Sequence, residues 1–232
     1  MKKVLCLFGL CVLFVATQSF AQSKTQFGLK GGLNLAKISI FDLGDAKQKQ
    51  LLSFHLGGVM NYTVAENFVI ETGLLLSGKG TKLETFGSTA EVSITGKLSA
   101  APFYLEVPIN AVYKVQLSSM NLRLFAGPYL AFGVAGNIKE KYSATGLPAG
   151  VTLGSIGLDD ATTKIKFGTN EDGDWRPLDF GLNIGAGIEL NNLLFAAQYG
   201  LGLSNVEPVN WSENESKNRV ISISVGYMLS GK

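Results

Sequence analysis

Residues 219–229 read RVISISVGYML, and an apolar side chain occupies every second position from Ile221 to Leu229. A two-residue period is the side-chain period of a β-strand, whose successive residues point to opposite faces. The other face carries small polar residues such as Ser222 and Ser224. The stretch therefore predicts a strand with one apolar face and one face of small or polar side chains.

Seven further stretches alternate in the same way, so the sequence predicts eight strands. Each contains between ten and fourteen residues, and its polar face is mostly Gly, Ser, Asn and Ala with one or two charges. This length suits a tilted crossing of the hydrocarbon layer of a membrane. The predicted strands are residues 26–38, 52–62, 68–78, 102–113, 121–134, 178–190, 193–203 and 219–229.

The connectors between these strands alternate between short and long. Short periplasmic turns and long outer loops are typical of outer-membrane barrels, and an even strand number puts both termini in the periplasm. The fold prediction is all-β: an eight-stranded antiparallel up-and-down transmembrane β-barrel. Within the longest connector, residues 139–143 and 163–167 alternate and are expected to extend a hairpin above the membrane. The short connectors are residues 64–67, 114–120 and 191–192, and the long loops are residues 39–51, 79–101, 135–177 and 205–218.

A soluble β-sandwich or lipocalin-like barrel also has alternating strands. In such a fold the apolar face forms the core, and many charged residues and threonines cover the outside. Only 16% of this chain is charged, and it contains 28 glycines. Glycines weaken strands unless close packing requires them, and an eight-stranded interior is just wide enough to be filled by side chains. The composition therefore favours the membrane barrel.

Residues 1–21 have the features of a secretory signal peptide, and residues 22–232 are predicted to form the barrel domain. A charged start at Lys2 and Lys3 precedes an apolar stretch, which ends at a small-x-small cleavage site before residue 22. Both cysteines lie inside this segment. The mature chain is therefore expected to contain no disulfide, thiol nucleophile or cysteine–metal site.

The charge balance and hydropathy exclude several classes of protein. Without the signal segment, the chain has 18 basic and 18 acidic residues, whereas a nucleic-acid binder needs a basic stripe. No run of 18 apolar residues follows the signal segment, which excludes helical membrane spans. Residues 170–174, NEDGD, resemble half of a calcium loop but lack its later Gly and Glu. We predict a solvated acidic turn there, and no cofactor or metal.

Five short motifs are spread along most of the mature chain. They are FGLKGGLN at residues 27–34, YLEVPI at 104–109, AGPYL at 126–130, DFGLNIGAG at 179–187 and YGLGLSN at 199–205. With these motifs the chain resembles the PorT-like outer-membrane β-barrel family of Bacteroidetes-type Gram-negative bacteria. The resemblance implies an eight-stranded barrel in outer-membrane lipid, inserted by the barrel assembly machinery, and it implies no single activity.

Five charged residues fall on positions that face the barrel lumen. Buried charges are costly unless they are paired, so we predict a lumenal salt-bridge network that plugs the barrel. The alternative is a proton or ion path, because polar groups at membrane depth often mark one. The predicted network consists of Lys30, Glu71, Glu106, Arg123 and Glu189.

Two further lumenal residues, His55 and Asp179, are predicted near the outer rim. A histidine base can activate a hydroxyl nucleophile, but no serine nucleophile motif accompanies His55. We therefore predict no catalytic residue. Trp175 and Trp211 lie near predicted strand ends, where aromatic belts form at membrane interfaces.

The sequence thus predicts a monomeric outer-membrane barrel with a structural or interaction role, exercised through its long outer loops toward an extracellular ligand or protein partner. Loops on rigid scaffolds commonly carry recognition. The first alternative is a narrow porin-like channel for ions or small solutes. The second is a barrel enzyme that uses His55.

Overall fold

The computed structural model describes residues 24–39, 46–89, 91–169, 173–207 and 215–229. These residues form eleven β-strands and one 3-10 turn, Gly154–Ile156, and include no α-helix. Accordingly, no helix in this part of the chain is long and apolar enough to cross a membrane. The strands are β1 (Thr25–Ser39), β2 (Lys47–Lys49), β3 (Leu51–Ala65), β4 (Phe68–Gly78), β5 (Thr81–Ser88), β6 (Ser93–Gln116), β7 (Asn121–Thr145), β8 (Ala161–Lys164), β9 (Leu178–Leu190), β10 (Leu193–Gly202) and β11 (Lys217–Leu229).

Eight of these strands close into a ring, which confirms the predicted all-β, up-and-down barrel. Strands β1, β3, β4, β6, β7, β9, β10 and β11 follow one another around the wall in chain order, and each neighbouring pair is antiparallel. Strand β11 closes the ring against β1, from Leu229 opposite Phe27 to Lys217 opposite Ser39. The stretch RVISISVGYML therefore lies in the strand that completes the wall.

The two faces of the wall differ as the alternation predicts. Large apolar side chains point outward and are exposed, and Ile223 is the most exposed of them at 66%. Residues of the opposite parity, such as Asn34, Ser224 and Arg123, point inward and are buried. Such a wide apolar exterior is unfavourable in water and favourable in lipid.

The wall strands match the predicted ranges closely, except that β6 and β7 are about ten residues longer at one end. Predicted loop residues 79–101 instead contain β5 and the first part of β6, and predicted loop 135–177 contains the last part of β7 and β8. Apart from the arms at residues 139–143 and 163–167, these pieces were not predicted, because their outward residues are mostly polar and the apolar alternation that marks a lipid-facing strand is absent.

The additional strands form a sheet that projects from one end of the barrel, the end at which the long connectors lie. The pairing of β4 with β6 ends at Gly78, opposite Phe103. The pairing of β9 with β7 begins at Leu178, opposite Phe132. Beyond these pairs the β6–β7 hairpin continues for about 30 Å, with β5 and β2 beside β6 and β8 beside β7. We call this part the projecting sheet.

The projecting sheet partly matches the predicted alternating arms. Residues 139–143 lie in β7, as expected for an arm that extends the hairpin. Residues 163–167 only begin as strand, because β8 ends at Lys164 and the chain then turns toward an isolated bridge between Phe167 and Trp175. The predicted signal peptide, Trp211, and residues 40–45 and 208–214 of two predicted loops lie outside the described residues.

An apolar cluster covers the barrel mouth below the projecting sheet. Trp175 belongs to it and is only 7% exposed, so the prediction that Trp175 forms part of an aromatic belt is wrong. The physical reason is that backbone hydrogen bonds from Gly168 to Trp175 and from Arg176 to Val206 hold the loop across the mouth, where the indole packs inward. The mouth cluster consists of Ile38, Ala100, Tyr104, Tyr129, Ala131, Ile165, Trp175 and Val206.

Candidate functional site

The lumen contains two groups of ion pairs, and the first lies toward the short turns. Arg123 is at its centre, with Nη2 2.6 Å from Glu71 Oε2 and Nη1 3.1 Å from Glu189 Oε2. Each carboxylate has a second cation: Lys30 Nζ lies 3.3 Å from Glu71 Oε1, and Lys114 Nζ lies 2.9 Å from Glu189 Oε2. These five side chains, the lower cluster, join strands from across the barrel.

The second group lies toward the mouth and is built on Lys79, whose amine is 2.7 Å from Glu106 Oε2 and 2.9 Å from Asp179 Oδ2. Asp179 is fully buried, and it also accepts hydrogen bonds from Asn218 Nδ2 at 3.0 Å and Ser204 Oγ at 2.8 Å. We call Lys79, Glu106 and Asp179 the upper cluster.

The structure divides the predicted residues between the two clusters. Four of the five predicted network residues lie in the lower cluster, whereas Glu106 lies in the upper cluster with Asp179. Lys79 and Lys114 were missed because they fall just beyond the predicted ends of strands 68–78 and 102–113.

A signal for both missing lysines was present in the sequence. The seven predicted lumenal residues include two cations, Lys30 and Arg123, against four carboxylates. Buried charges require partners, so two further cations were needed. With Lys79 and Lys114, the two clusters contain four cations and four anions.

His55 lies in a polar chain between the clusters and is 5% exposed. Its Nδ1 is 2.8 Å from Asn34 Oδ1 and its Nε2 is 2.9 Å from Ser224 Oγ. Since an amide oxygen only accepts, Nδ1–H donates to Asn34, and Nε2 accepts the Ser224 hydroxyl proton. Ser222 Oγ also donates to Asn34 Oδ1, at 2.8 Å. A serine–histidine–asparagine chain of this kind can activate a hydroxyl nucleophile.

The space around His55 is small. A cavity between the two clusters is lined by Lys30, His55, Lys79, Glu106 and Ser224, among others, and is large enough for about one water molecule. A substrate larger than water therefore has no room beside the Ser224 hydroxyl.

Metal ligands are not grouped in the described residues. No set of three His, Cys, Asp or Glu side chains in that part of the chain could hold a metal ion. Of the predicted acidic turn, Asp174 Oδ2 accepts a hydrogen bond from the Lys166 backbone N–H at 2.8 Å, and residues 170–172 lie outside the described residues.

The projecting sheet has one strongly basic face. Seven lysines and one glutamate share it: Lys47, Lys49, Lys82, Glu84, Lys97, Lys139, Lys141 and Lys164. We call it the lysine face. Its opposite side carries Leu98 and Ile138, which pack against the mouth cluster.

One carboxylate accounts for the ion pairs on this face within the described residues. Glu84 Oε2 lies 2.6 Å from Lys49 Nζ, and Oε1 lies 3.9 Å from Lys97 Nζ. The hydrogen bond from Lys49, with the charges of Lys97 and Lys82, holds the pKa of the Glu84 carboxyl below its usual value. Glu84 therefore stays ionised at neutral pH, and the face carries a net positive charge.

Replacing Arg123 by methionine is expected to lower the free energy of unfolding by about 2–3 kcal/mol, somewhat below the usual cost of breaking a buried ion pair. The loss is limited because Glu71 keeps Lys30 and Glu189 keeps Lys114. Urea unfolding of the barrel in lipid vesicles, followed by intrinsic fluorescence, measures it. A change below about 0.5 kcal/mol, the usual range for surface substitutions, would contradict a structural role for the lower cluster.

A closed ring of eight antiparallel strands with an apolar exterior and a polar lumen defines a transmembrane β-barrel. The chain belongs to the family of the outer membrane protein beta-barrel domain, whose family model matches residues 20–207. It is accordingly a protein of the cell outer membrane. No curated protein matches the chain.

Several solved outer-membrane proteins are similar in structure. Ail, the attachment invasion locus protein of Yersinia pestis, is 12% identical with a TM-score of 0.38, covering 88% of this chain and 98% of Ail. The outer membrane protein OprG of Pseudomonas aeruginosa is 14% identical with a TM-score of 0.35, covering 91% and 99%. Neisserial surface protein A is 14% identical with a TM-score of 0.34, covering 87% and 96%.

Proposed function

We propose that this protein is a closed, non-conducting barrel that holds the projecting sheet outside the cell as an interaction surface. The single observation that carries the proposal is that the lower and upper clusters of ion pairs lie in the lumen beneath the mouth cluster. The five sequence motifs that resemble the PorT-like family support placing the protein in that group of its family. Short turns on one side and long connectors on the other support an orientation with the sheet outside and the termini in the periplasm.

The ion pairs would oppose conduction because passage of an ion requires them to separate. Arg123 touches carboxylates on β4 and β9, and Lys79 touches carboxylates on β6 and β9. The pairs Arg123–Glu71 and Lys79–Asp179 join strands that are not neighbours in the wall, so they cross the lumen. Removing one buried partner leaves an uncompensated charge and is strongly unfavourable. The cavity between the clusters is large enough for about one water molecule, which is too little for a hydrated ion path.

The closed wall also supports a monomer. Strand edges attract other chains, and a closed barrel has none. Because β11 pairs with β1 along its whole length from Lys217 to Leu229, the wall offers no free edge to a second copy. The proposed partners are outer-membrane lipid, the barrel assembly machinery during insertion, and an extracellular ligand or protein at the long connectors.

Planar-bilayer recordings test the closed barrel. We expect the wild-type protein to insert without steady unitary openings. The Lys79→Gln variant is also expected to show no steady openings in the first period after insertion. Heat-modifiable migration on gels provides the control, since a folded barrel runs differently before and after boiling. Steady openings whose ion selectivity changes in Lys79→Gln would overturn the proposal and support the narrow channel instead.

The hydrogen-bond chain from Ser224 through His55 to Asn34 favours a second candidate, a barrel enzyme that hydrolyses phospholipid esters. The small cavity argues against it. Phospholipid turnover by reconstituted wild-type protein is expected to equal that of His55→Ala and of protein-free vesicles. Turnover by the wild type that is lost in both His55→Ala and Ser224→Ala would establish the enzyme.

A further inference from the structure

The lysine face points toward the lipid side of the barrel. On β6, Lys97 and Ser99 have the same parity as Phe103 and Leu105, which face outward below them, whereas Leu98 packs toward the mouth cluster. Side chains two residues apart lie on the same face of a strand. The lysines therefore extend the lipid-facing surface upward, and they do not line a channel entrance.

The height of the face also fits the membrane interface. Outward-facing Phe54 and Phe103 have ring centroids 5.2 Å apart near the upper end of the apolar wall, and because aromatic girdles form at membrane interfaces we take this pair as the outer boundary. Lys82 and Lys139 both pair with Ser99, four residues beyond Phe103 and about 10 Å higher for a strand tilted by about 40°. The polar interface is about 5–8 Å thick on each side, and lysine side chains bend toward charged head groups.

Glu84 neutralises only part of the positive charge on the lysine face. Lys97 lies directly opposite Lys141, and Lys49 lies directly opposite Lys82. Like charges at directly opposite positions destabilise a sheet. Between these rows, Lys82, Lys97, Lys139 and Lys141 line a shallow groove with Glu84 and Ser99, and the groove is open to a multiply charged ligand.

From these observations we infer that the lysine face binds the phosphate groups of lipid head groups beside the barrel. The occupant is a phosphorylated membrane lipid because the face is continuous with the lipid-facing wall, its lower lysines lie within side-chain reach of the head groups, and it carries the complementary charge. The inference rests on the proposed placement of the projecting sheet just above the membrane. It adds a ligand class to that proposal and fixes which side of the sheet contacts the membrane.

Spin-label electron paramagnetic resonance on protein reconstituted in phosphatidylcholine bilayers tests this assignment. It compares the association of spin-labelled phosphatidic acid and spin-labelled phosphatidylcholine with the barrel surface. The wild type is expected to prefer phosphatidic acid several-fold, and about 0.5 M salt is expected to weaken the preference. A surface lysine contributes about a fivefold effect near an anionic leaflet. Lys139→Gln/Lys141→Gln is therefore expected to abolish the several-fold preference of the wild type.

A matched variant separates this site from general charge. Lys24→Gln/Lys166→Gln removes the same charge from exposed positions off the lysine face and is expected to keep the preference, as is Lys139→Arg/Lys141→Arg. Equal association of both lipids with the wild type, or an equal loss in the matched variant, would overturn the inference. Displacement of labelled phosphatidic acid by millimolar inorganic phosphate at constant ionic strength would assign the face to free phosphate and also overturn it.

The result is independent of the closed-barrel proposal. The reconstituted bilayer has the same lipid in both leaflets, so lipid preference does not depend on the direction of insertion, and it does not depend on conductance. A conducting barrel that still prefers phosphatidic acid would overturn only the proposed function. A silent barrel without lipid preference would overturn only the lysine-face inference.

Discussion

Replacing Lys79 by methionine is expected to lower the free energy of unfolding of the barrel by about 3–5 kcal/mol, the usual cost of breaking a buried ion pair by removing one partner. Lys79 is 2% exposed, and among the described residues the ion pairs of Glu106 and Asp179 both go to its amine. Methionine fills similar space but leaves two buried carboxylates without a cation. This loss exceeds that for Arg123→Met, where each carboxylate keeps a second lysine.

Urea unfolding in lipid vesicles measures the effect, with Lys82→Met as the matched control. Lys82 lies three residues further along the chain on the lysine face, so its replacement is expected to change the free energy of unfolding by less than about 0.5 kcal/mol. The triple variant Lys79→Met/Glu106→Gln/Asp179→Asn removes all three charges and is expected to recover at least half of the loss. A Lys79→Met barrel as stable as the wild type, or a triple variant no better than the single one, would contradict the upper cluster as described.

Replacing Gly127 by alanine is expected to destabilise the barrel by about 3 kcal/mol, at the upper end of the usual range for overpacking. A Cβ at Gly127 would lie 1.9 Å from the carbonyl oxygen of Ile109 and 2.7 Å from Asn110 Cα. Both atoms belong to the backbone of β6, which cannot rotate away as a side chain can. The β6–β7 pairing, which carries the projecting sheet, would have to separate at this point.

The same substitution at Gly58 is the control. A Cβ there would meet only Gly28 O, at 3.9 Å, which is ordinary contact distance, so Gly58→Ala is expected to be neutral or to stabilise the barrel by about 0.4–1 kcal/mol through the unfolded chain. The folded fraction on unboiled gels and the urea midpoint of both variants measure the difference. Similar midpoints for the two variants would show that β6 can shift to accept the extra carbon.

The wall of the barrel was predictable because its side chains face two different environments. Lipid outside and a narrow lumen inside impose opposite chemistry on alternate residues, so strands such as β4 and β9 were predicted with the bounds that the structure has. The same reasoning placed Lys30 and Glu71 on the inward face. Alternation predicts strands only within the membrane, because β5 and the extensions of β6 and β7 have no lipid-facing apolar residues to mark them.

Which charged residues pair with each other in the lumen was less predictable than which residues face the lumen. Parity places Glu106 and Arg123 on the inside, but the height of each residue depends on strand tilt and register around the ring, which alternation does not encode. Glu106 therefore lies with Lys79 and Asp179, away from Arg123. Trp175 was misplaced for a related reason, because backbone hydrogen bonds within a loop direct the indole over the mouth.

The sequence by itself determined the two-faced strands of the wall and their number, since these follow from local alternation. Only the tertiary structure decided how the buried ions pair, which loops cover the mouth, and that strands continue beyond the wall. The reason is that pairing and covering are contacts between distant parts of the chain, and they depend on closure of the ring. The lysine face is the clearest case: its lysines come from five strands and share one surface only because β2, β5, β6, β7 and β8 pair side by side.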